Sequence, residues 1–131
     1  MAKELILIIE DNEKNRKLMR DVLQFQGYRT VESETAEEGL RLAGTLAPAL
    51  ILMDIHLPGM NGIEALAALR ADPATRGIPV MAVTASVMPQ DRQMVTSAGF
   101  DAYQSKPINV KEFVKAVKET LDRSSKADKS P

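Results

Sequence analysis

The chain has 131 residues, 44% of them hydrophobic, and its 17 basic and 18 acidic residues leave a formal net charge of −1. This length and apolar content predict a single domain with a hydrophobic core and leave no room for a second folded module. The nearly balanced charge argues against a general nucleic-acid-binding protein, and the absence of cysteine excludes disulfides and thiolate metal sites.

Short aliphatic runs alternate along the chain with longer segments of helical period. In chain order, the sequence predicts a strand at 5–9, a helix at 12–26, a strand at 28–31, a helix at 35–46, a strand at 50–53, a helix at 63–71, a strand at 80–83, a helix at 89–98, a strand at 102–104 and a helix at 110–121. Asn12 and Thr35 are typical N-terminal caps, and Gly27 is a typical C-terminal stop. The alternation predicts an α/β fold, a doubly wound parallel sheet with helices on both faces.

Apolar side chains at helical spacing mark the expected buried face of three helices. They are Leu18, Met19, Val22 and Leu23 in the first helix, Ile63, Leu66, Ala67 and Leu69 in the third, and Val110, Phe113, Val114, Val117 and Leu121 in the last. Beyond the last helix, residues 123–131 contain no apolar side chain except one alanine. We therefore expect a domain at 1–122 and a disordered C-terminal tail at 123–131.

Acidic residues follow two of the predicted strands at the point where each strand ends. Glu10 and Asp11 follow the first strand, and Asp54 follows the third. Because the carboxyl ends of parallel strands meet at one edge of a sheet, these carboxylates are expected to lie together. They would repel one another without a hard cation, and Mg²⁺ (or Mn²⁺) suits such oxygen ligands. Asp54 is then a candidate nucleophile toward a phosphoryl donor, with an acyl phosphate as its product.

Two further strand ends carry residues that suit phosphoryl transfer. Lys106 follows the last strand and offers a positive charge, while the fourth strand ends in Thr84, with a hydroxyl, and Ala85, with a backbone N–H. Transfer of a phosphoryl group needs such charge and donors around its equatorial oxygens. Each residue taken singly is more often a cap or a solvated side chain, but all of them fall at strand ends of one predicted sheet.

Together, these residues resemble the receiver domain of two-component response regulators. The resemblance covers 5–121 and rests on Glu10-Asp11-Asn12, Met53-Asp54-Ile55-His56-Leu57-Pro58-Gly59-Met60-Asn61-Gly62, Val83-Thr84-Ala85 and Lys106-Pro107. It implies a flavodoxin-like (βα)5 fold with five parallel strands in the order 2-1-3-4-5. The segment 83–91 is most similar to receivers of hybrid kinases and of single-domain phosphorelay or cell-cycle regulators.

The resemblance also implies a role for each acidic residue. Asp54 would be the phosphoryl acceptor, and Mg²⁺ would be held by Asp11, Asp54 and the backbone carbonyl of His56, with Glu10 acting mostly through water. The His56 side chain is not expected to bind the metal, since one histidine alone cannot build a metal site. Together with Ser86, it is expected to tune how water reaches the phosphoryl group and hence the lifetime of the acyl phosphate.

For the remaining pocket residues the resemblance implies phosphoryl binding and switching. Lys106, Thr84 and the backbone N–H of Ala85 would bind the phosphoryl group. Thr84 and Tyr103 would form the switch pair, with Thr84 drawn toward the phosphoryl oxygen and the Tyr103 ring moving inward. The Lys106–Pro107 peptide bond would be cis.

The predicted function is that of a phospho-accepting receiver in a two-component phosphorelay, which catalyses only its own phosphorylation and dephosphorylation. A histidine kinase or histidine phosphotransfer protein would be the donor, and a downstream protein would bind the face formed by the fourth helix, fifth strand and fifth helix. Without a membrane-length apolar stretch or a leader, we expect a cytoplasmic protein with no DNA-binding output domain and no nucleic-acid or membrane partner. The sequence leaves open the direction of phosphoryl flow and whether the chain was excised from a hybrid kinase.

Three other functions fit part of this pattern. A receiver-like adaptor would bind partners without phosphorylation, although no residue of the pocket is missing. An aspartyl phosphatase would need a second aspartate as general acid two positions after Asp54, where His56 stands. A flavodoxin-type electron carrier would need a neutral, hydroxyl-rich loop after the first strand, and Glu10 and Asp11 would repel the flavin phosphate.

Overall fold

The computed structural model of the protein describes residues 4–85, 93, 95 and 97–128, the last five of them by their backbone alone. Its elements are β1 (Leu5–Ile9), α1 (Glu13–Phe25), β2 (Arg29–Ser33), α2 (Ala36–Leu46), β3 (Leu50–Asp54), α3 (Gly62–Ala71), β4 (Val80–Thr84), β5 (Ala102–Ser105) and the C-terminal helix α4 (Val110–Asp128). The strands lie where the aliphatic runs predict them, with small shifts at their ends.

Five parallel strands form one sheet in the order β2-β1-β3-β4-β5. At the carboxyl end of β1, Ile9 pairs with Ser33 of β2 on one side and with Met53 of β3 on the other. Toward the opposite edge of the sheet, Thr84 of β4 pairs with Ser105 of β5. The predicted fold class and strand order are therefore confirmed, and the residues that follow β1, β3, β4 and β5 emerge at the same end of the sheet.

Both faces of the sheet are buried, because successive residues of each strand point to opposite helix layers. The core beneath α2 and α3 is formed by Leu7, Ile9, Ile51, Met53, Val80, Ala36, Ala43, Ala65, Leu66 and Leu69. The core beneath α1 and α4 is formed by Ile6, Ile8, Leu50, Leu52, Met81, Val83, Met19, Leu23, Phe113, Val117 and Leu121. This two-sided burial explains why the central strands are continuous aliphatic runs rather than alternating ones.

The predicted helix caps are present at α1 and α2. The Asn12 side chain accepts a hydrogen bond from the backbone N–H of Asn15 at 3.0 Å, and that of Thr35 accepts one from the N–H of Glu38 at 3.2 Å. Gly27 has a φ of 96° just after α1, a left-handed conformation that glycine adopts without steric cost. These caps satisfy backbone groups that the ends of a helix leave without intrahelical partners.

Three residues predicted on buried helix faces lie elsewhere. Leu18 is 38% exposed, Val110 is 48% exposed, and Ala67 is also exposed. Leu18 and Ala67 directly neighbour the buried Met19 and Leu66, and one residue along a helix turns the side chain by about 100°. The buried stripe is thus narrower than the apolar pattern indicates, and Val110 is the first residue of its helix, where the chain still lies at the surface.

The C-terminal helix is longer than predicted. Residues 123–128 continue α4 to Asp128, whereas disorder was expected from Arg123 onward; 129–131 lie outside the described residues. A helix needs no apolar contact to add a turn, because each further residue fixes its backbone in exchange for one more hydrogen bond. Absence of apolar residues was therefore a poor guide to where this helix ends.

The segment between β4 and β5 is described only in part. Gln93, Val95, Ser97 and Ala98 have helical backbone and Val95 is buried, within the span where a helix at 89–98 is predicted. The rest of that predicted helix lies outside the described residues. Among the helices that the structure does describe, none combines the length and the apolar character that a membrane span requires.

Helix α2 approaches the sheet closely at Gly39. A Cβ at this position would contact Cδ1 of Ile9 and lie 2.7 Å from its Cγ1, and Ile9 is itself buried in the core. Gly44, on the same helix, has no such neighbour within 4 Å. The two glycines therefore separate the effect of close packing from the effect of helix propensity.

We predict that Gly39→Ala lowers the free energy of unfolding by about 1–3 kcal/mol, because the added methyl group overfills a packed core. Gly44→Ala should instead raise it by about 0.5 kcal/mol, since alanine favours the helix and meets no neighbour. Urea unfolding followed by circular dichroism measures both. Equal effects of the two substitutions would contradict close packing at Gly39.

Candidate functional site

Three carboxylates meet at the carboxyl end of the sheet. Asp54 is the last residue of β3, and Glu10 and Asp11 directly follow β1, the neighbouring strand. One side-chain oxygen from each lies within 4.8 Å of the other two. Glu10 and Asp54 are buried, while Asp11 is exposed. The parallel register thus brings together the three acids that the sequence predicts as one cluster.

Lys106 reaches this cluster from the end of β5. Its ammonium nitrogen is 3.0 Å from Oδ2 of Asp54 and 2.6 Å from Oε1 of Glu10. The backbone N–H of Lys106 donates to the carbonyl of Thr84 at 2.9 Å, which fixes the lysine to the end of β4. The Lys106–Pro107 peptide bond is cis, as expected. One ammonium therefore neutralises part of the charge on two buried carboxylates.

Glu10 is the least accessible member of the cluster. Its Oε2 accepts a hydrogen bond from the N–H of Asn12 at 3.1 Å, whereas its buried Oε1 contacts the ammonium of Lys106 at 2.6 Å. Burial raises the pKa of the Glu10 carboxyl above its ordinary value; Asp54 adds to the rise, and Lys106 and Asn12 oppose it. The pKa of Lys106 is also raised, because its contacts with Glu10 and Asp54 outweigh the burial that would lower it.

The donor set fits a hard divalent cation. All three acids offer oxygen ligands, and three carboxylates with one ammonium carry a net charge of −2 when all are ionised. Mg²⁺ prefers such oxygens and keeps several water ligands, so it needs only one or two carboxylates directly. An open cleft runs from Asp11, the exposed member of the cluster, along residues 55–63.

The Asp54 side chain is held by the chain that follows it. Its Oδ1 accepts a hydrogen bond from the backbone N–H of His56 at 3.0 Å, while Oδ2 contacts Lys106. Gly62 lies so close behind that a Cβ there would be 2.7 Å from the carbonyl oxygen of Asp54 and 2.8 Å from Cα of Ile55. Only glycine fits this approach, which packs the start of α3 against the end of β3.

The start of α3 is fixed by a reciprocal cap. The Asn61 side chain accepts from the N–H of Glu64 at 2.9 Å, and the Glu64 carboxylate accepts from the N–H of Asn61 at 3.0 Å. The N–H of Gly62 donates to the carbonyl of Ile55 at 3.0 Å. These bonds hold the loop after Asp54 in one conformation at the edge of the cleft.

The other predicted site residues lie around this centre, with one outside the described residues. Thr84 ends β4 and is fully buried, and Ala85 follows it at the surface. His56 is exposed and lines the cleft. Ser86 lies outside the described residues. The roles predicted for these four residues therefore stay predictions.

Tyr103 lies in β5, where it is half-buried. In the sheet it pairs with Ala82, two residues before Thr84. It packs against a small apolar cluster formed by Ile55, Ala82 and Val95. The ring thus borders both the chain that follows Asp54 and the partly described helical segment after β4. Its role in the switch pair stays a prediction.

One residue that contacts the site was missed in the sequence. Arg16 donates from Nη1 to the carbonyl oxygens of Glu10, at 2.9 Å, and Asp11, at 3.2 Å. A signal was available, because Arg16 lies three and seven positions before the buried Met19 and Leu23. A charged residue on the buried face of a helix usually has a specific polar partner.

Known proteins are similar to this chain in sequence and in fold. The family model of the response regulator receiver domain matches residues 6–118. The polar-differentiation response regulator DivK of Brucella ovis is 44% identical over 116 residues, which cover 88% of this chain and 94% of that protein.

Solved structures agree with the arrangement of the strands. A CheY-like receiver domain protein from Methanospirillum hungatei JF-1 superposes with a TM-score of 0.85 at 32% identity, covering 96% of this chain and 99% of that one. The receiver domain of the sensor histidine kinase PA1611 from Pseudomonas aeruginosa PAO1 has a TM-score of 0.85 at 30% identity, covering 92% and 99%. That structure has a magnesium ion coordinated in its active-site cleft.

We predict that Lys106→Met lowers the free energy of unfolding by about 3 kcal/mol in metal-free buffer at neutral pH, since it leaves two buried carboxylates without their cation. The exposed Lys118→Met removes the same charge and should have little effect. Urea unfolding with a chelator present measures both changes.

The loss at Lys106→Met should shrink as the pH is lowered. A carboxyl such as Glu10, whose pKa is raised in the folded state, binds its proton more tightly in that state. Protonation therefore favours folding at low pH, and this contribution is lost as the pH rises through the folded-state pKa. A loss that is independent of pH would indicate that the substitution acts through packing rather than through charge.

Proposed function

The chain belongs to the response regulator receiver domain family, and from this premise we propose that it is a phosphorylation switch that accepts a phosphoryl group on Asp54. Receiver domains are signalling modules of two-component systems rather than conventional enzymes. The observation that carries the proposal is the contact of the Asp54 carboxylate with Lys106 at 3.0 Å inside a cluster of three acids. A structural ion pair would need one carboxylate; the two additional acids are explained by a cation.

The reaction is a group transfer from nitrogen to oxygen. A phosphohistidine of the donor, a histidine kinase or a histidine phosphotransfer protein, presents its phosphorus to an Asp54 carboxylate oxygen. The new P–O bond forms as the P–N bond breaks, and the released imidazole takes up a proton. Because the donor brings the histidine, the receiver has only to position the acceptor and neutralise charge.

Charge neutralisation falls to a small set of residues. Glu10, Asp11, Asp54 and the backbone carbonyl of His56 would hold Mg²⁺ (or Mn²⁺), with Glu10 acting mostly through water, and the metal would supply positive charge to the phosphoryl oxygens. Lys106 supplies a second positive charge next to the Asp54 carboxylate, 3.0 Å from its Oδ2. It is well suited to this role, because its raised pKa keeps it charged.

Thr84 and Tyr103 carry the response outward. The buried Thr84 hydroxyl and the backbone N–H of Ala85 bind the phosphoryl oxygens, and the half-buried Tyr103 ring moves into the space that Thr84 vacates. A surface concavity beside Tyr103, formed with Gln104 and Pro107, lies where such a movement would change the shape presented to a partner. We propose that the downstream protein binds here, on β5 and α4 with the helix predicted at 89–98.

The lifetime of the acyl phosphate is proposed to depend on His56, which is exposed at the cleft, and on Ser86. We predict that His56→Ala changes the rate at which phosphorylated protein loses its phosphoryl group, because the imidazole no longer limits the path of water to Asp54. The decay is followed by intact mass spectrometry after removal of the donor. Identical lifetimes in the parent and the variant would eliminate His56 from this role.

The central test is phosphorylation by a small acyl-phosphate donor. We predict that the protein, incubated with Mg²⁺ and acetyl phosphate, gains the mass of one phosphoryl group, and that Asp54→Asn or a chelator abolishes the gain. Asp122→Asn, at an exposed carboxylate on α4, should be phosphorylated like the parent. Intact mass spectrometry gives the result directly.

The possible outcomes separate the alternatives. A parent protein that gains no mass would favour a receiver-like adaptor that binds its partners without phosphorylation. A gain that persists in Asp54→Asn would mean that another residue is the acceptor.

A further inference from the structure

We propose that Arg16 is a positioning residue for the loop that carries two of the metal-binding acids. This loop, residues 10–12, is called the acidic loop below. The inference rests on the proposed function, because it concerns how well the acidic loop is arranged to hold Mg²⁺.

Arg16 binds the acidic loop through its backbone rather than through its carboxylates. Nη1 donates to the carbonyl oxygens of Glu10 and Asp11 at 2.9 and 3.2 Å. Within the loop, the N–H of Asn12 donates a hydrogen bond to Oε2 of Glu10 at 3.1 Å. The N–H of Glu10 donates to Ser33 of β2 at 3.0 Å. The two peptide units that precede and follow Asp11 are thus tied to the guanidinium.

The other side of the guanidinium faces the end of β2. Nε is 3.5 Å from Oε1 of Glu32, and Nη2 is 3.5 Å from Oε1 of Glu34, in the loop that follows β2. The Arg16 side chain is only 12% exposed. It therefore bridges the acidic loop to the neighbouring strand, and its position is determined by partners on both sides.

Arginine is suited to this bridge by its shape. Its planar guanidinium presents several N–H donors in a fixed arrangement, so it can bind carbonyls and carboxylates at the same time. A lysine ammonium has no such planar arrangement and concentrates its charge at one point. Groups that orient metal ligands from behind commonly change metal affinity about 10-fold or more when they are removed.

Charge and positioning predict opposite signs for the loss of Arg16. Its positive charge lies near the acidic cluster, so removing the charge alone would strengthen the binding of a divalent cation. If Arg16 instead holds the acidic loop in its binding conformation, its removal weakens binding, because the loop must then be ordered by the metal itself. The direction of the change in Mg²⁺ affinity therefore decides between a charge effect and a positioning role.

Arg20 provides a matched control. It lies one turn further along α1, it pairs with the same Glu32 at 3.0 Å, and no hydrogen bond from it to the acidic loop is found among the described residues. Arg20→Met removes the same charge as Arg16→Met and disturbs the same acidic partner. The two substitutions differ chiefly in the hydrogen bonds to the acidic loop, which Arg16 donates. Their further ion pairs, of Arg16 with Glu34 and of Arg20 with Asp21, do not involve that loop.

Calorimetric titration with Mg²⁺ tests the proposal. Arg16→Met should bind Mg²⁺ about 10-fold more weakly than the parent, whereas Arg20→Met should bind it equally or slightly more tightly. Phosphorylation of Arg16→Met by acetyl phosphate should need more Mg²⁺ for half-maximal rate and should regain the parent rate at saturation. A residue that touched the phosphoryl group would lower the rate at saturation as well.

A second measurement needs no metal. Hydrogen–deuterium exchange in chelator should show faster exchange at the backbone amides of residues 10–12 in Arg16→Met than in Arg20→Met. Arg16→Lys keeps the positive charge and replaces Arg16→Met in these measurements if the methionine variant does not fold. It should still bind Mg²⁺ more weakly than the parent.

Several results would overturn the proposal. They are Mg²⁺ binding by Arg16→Met that is as tight as in the parent, equal weakening in the two methionine variants, or full affinity in Arg16→Lys. A parent chain that binds no Mg²⁺ would contradict the proposed function instead. In that case the exchange rates still decide whether Arg16 orders the acidic loop.

Discussion

The mutual repulsion of Glu10 and Asp54 is the constraint around which the rest of the site is arranged. Both carboxylates are buried, and they belong to the ends of neighbouring strands. Two buried anions at this separation are costly unless cations or protons compensate them. Lys106 supplies one compensating charge, and the pKa of Glu10 is still raised, mainly by burial and further by the charge of Asp54.

The parallel sheet explains how a few residues can form the site. Strands β1, β3, β4 and β5 all run in the same direction, so the residue that follows each one arrives at the same end. The acids come from the ends of β1 and β3, a hydroxyl comes from the end of β4, and an ammonium comes from the residue after β5. Because β1, β3 and β4 are almost entirely buried, packing in the core fixes their positions and with them the positions of the polar residues at their ends.

The sequence predicts the parts of the molecule that depend on backbone periodicity. Strand positions follow from the aliphatic runs, and the meeting of Glu10, Asp11, Asp54 and Lys106 follows from the motifs at their ends. The strand order was implied by the resemblance to receiver domains. The exposure of Leu18 and Val110 did not follow, because the width of a buried helix stripe depends on what packs against it. The helical residues 123–128 did not follow either, since their backbone bonds are local and need no apolar partner.

The sequence also does not predict features that depend on the close approach of two backbone segments. Gly62 is read from the sequence as part of a loop, yet its lack of a side chain is what lets α3 pack against the carbonyl of Asp54. The contact depends on where two distant backbones meet, which no local pattern encodes.

The cations around the acids divide into two kinds. Lys106 contacts the carboxylates themselves and neutralises part of their charge. Arg16 contacts backbone carbonyls of the acidic loop, and its own charge is balanced by Glu32 and Glu34. The net charge that remains on the cluster favours a divalent cation, and any ligand that binds only the folded chain also stabilises it. The proposed metal binding and phosphorylation and the stability of the fold therefore depend on the same carboxylates. A substitution at the site changes all three together, whereas one behind it, at Arg16, changes the geometry of the acids and leaves their charge intact.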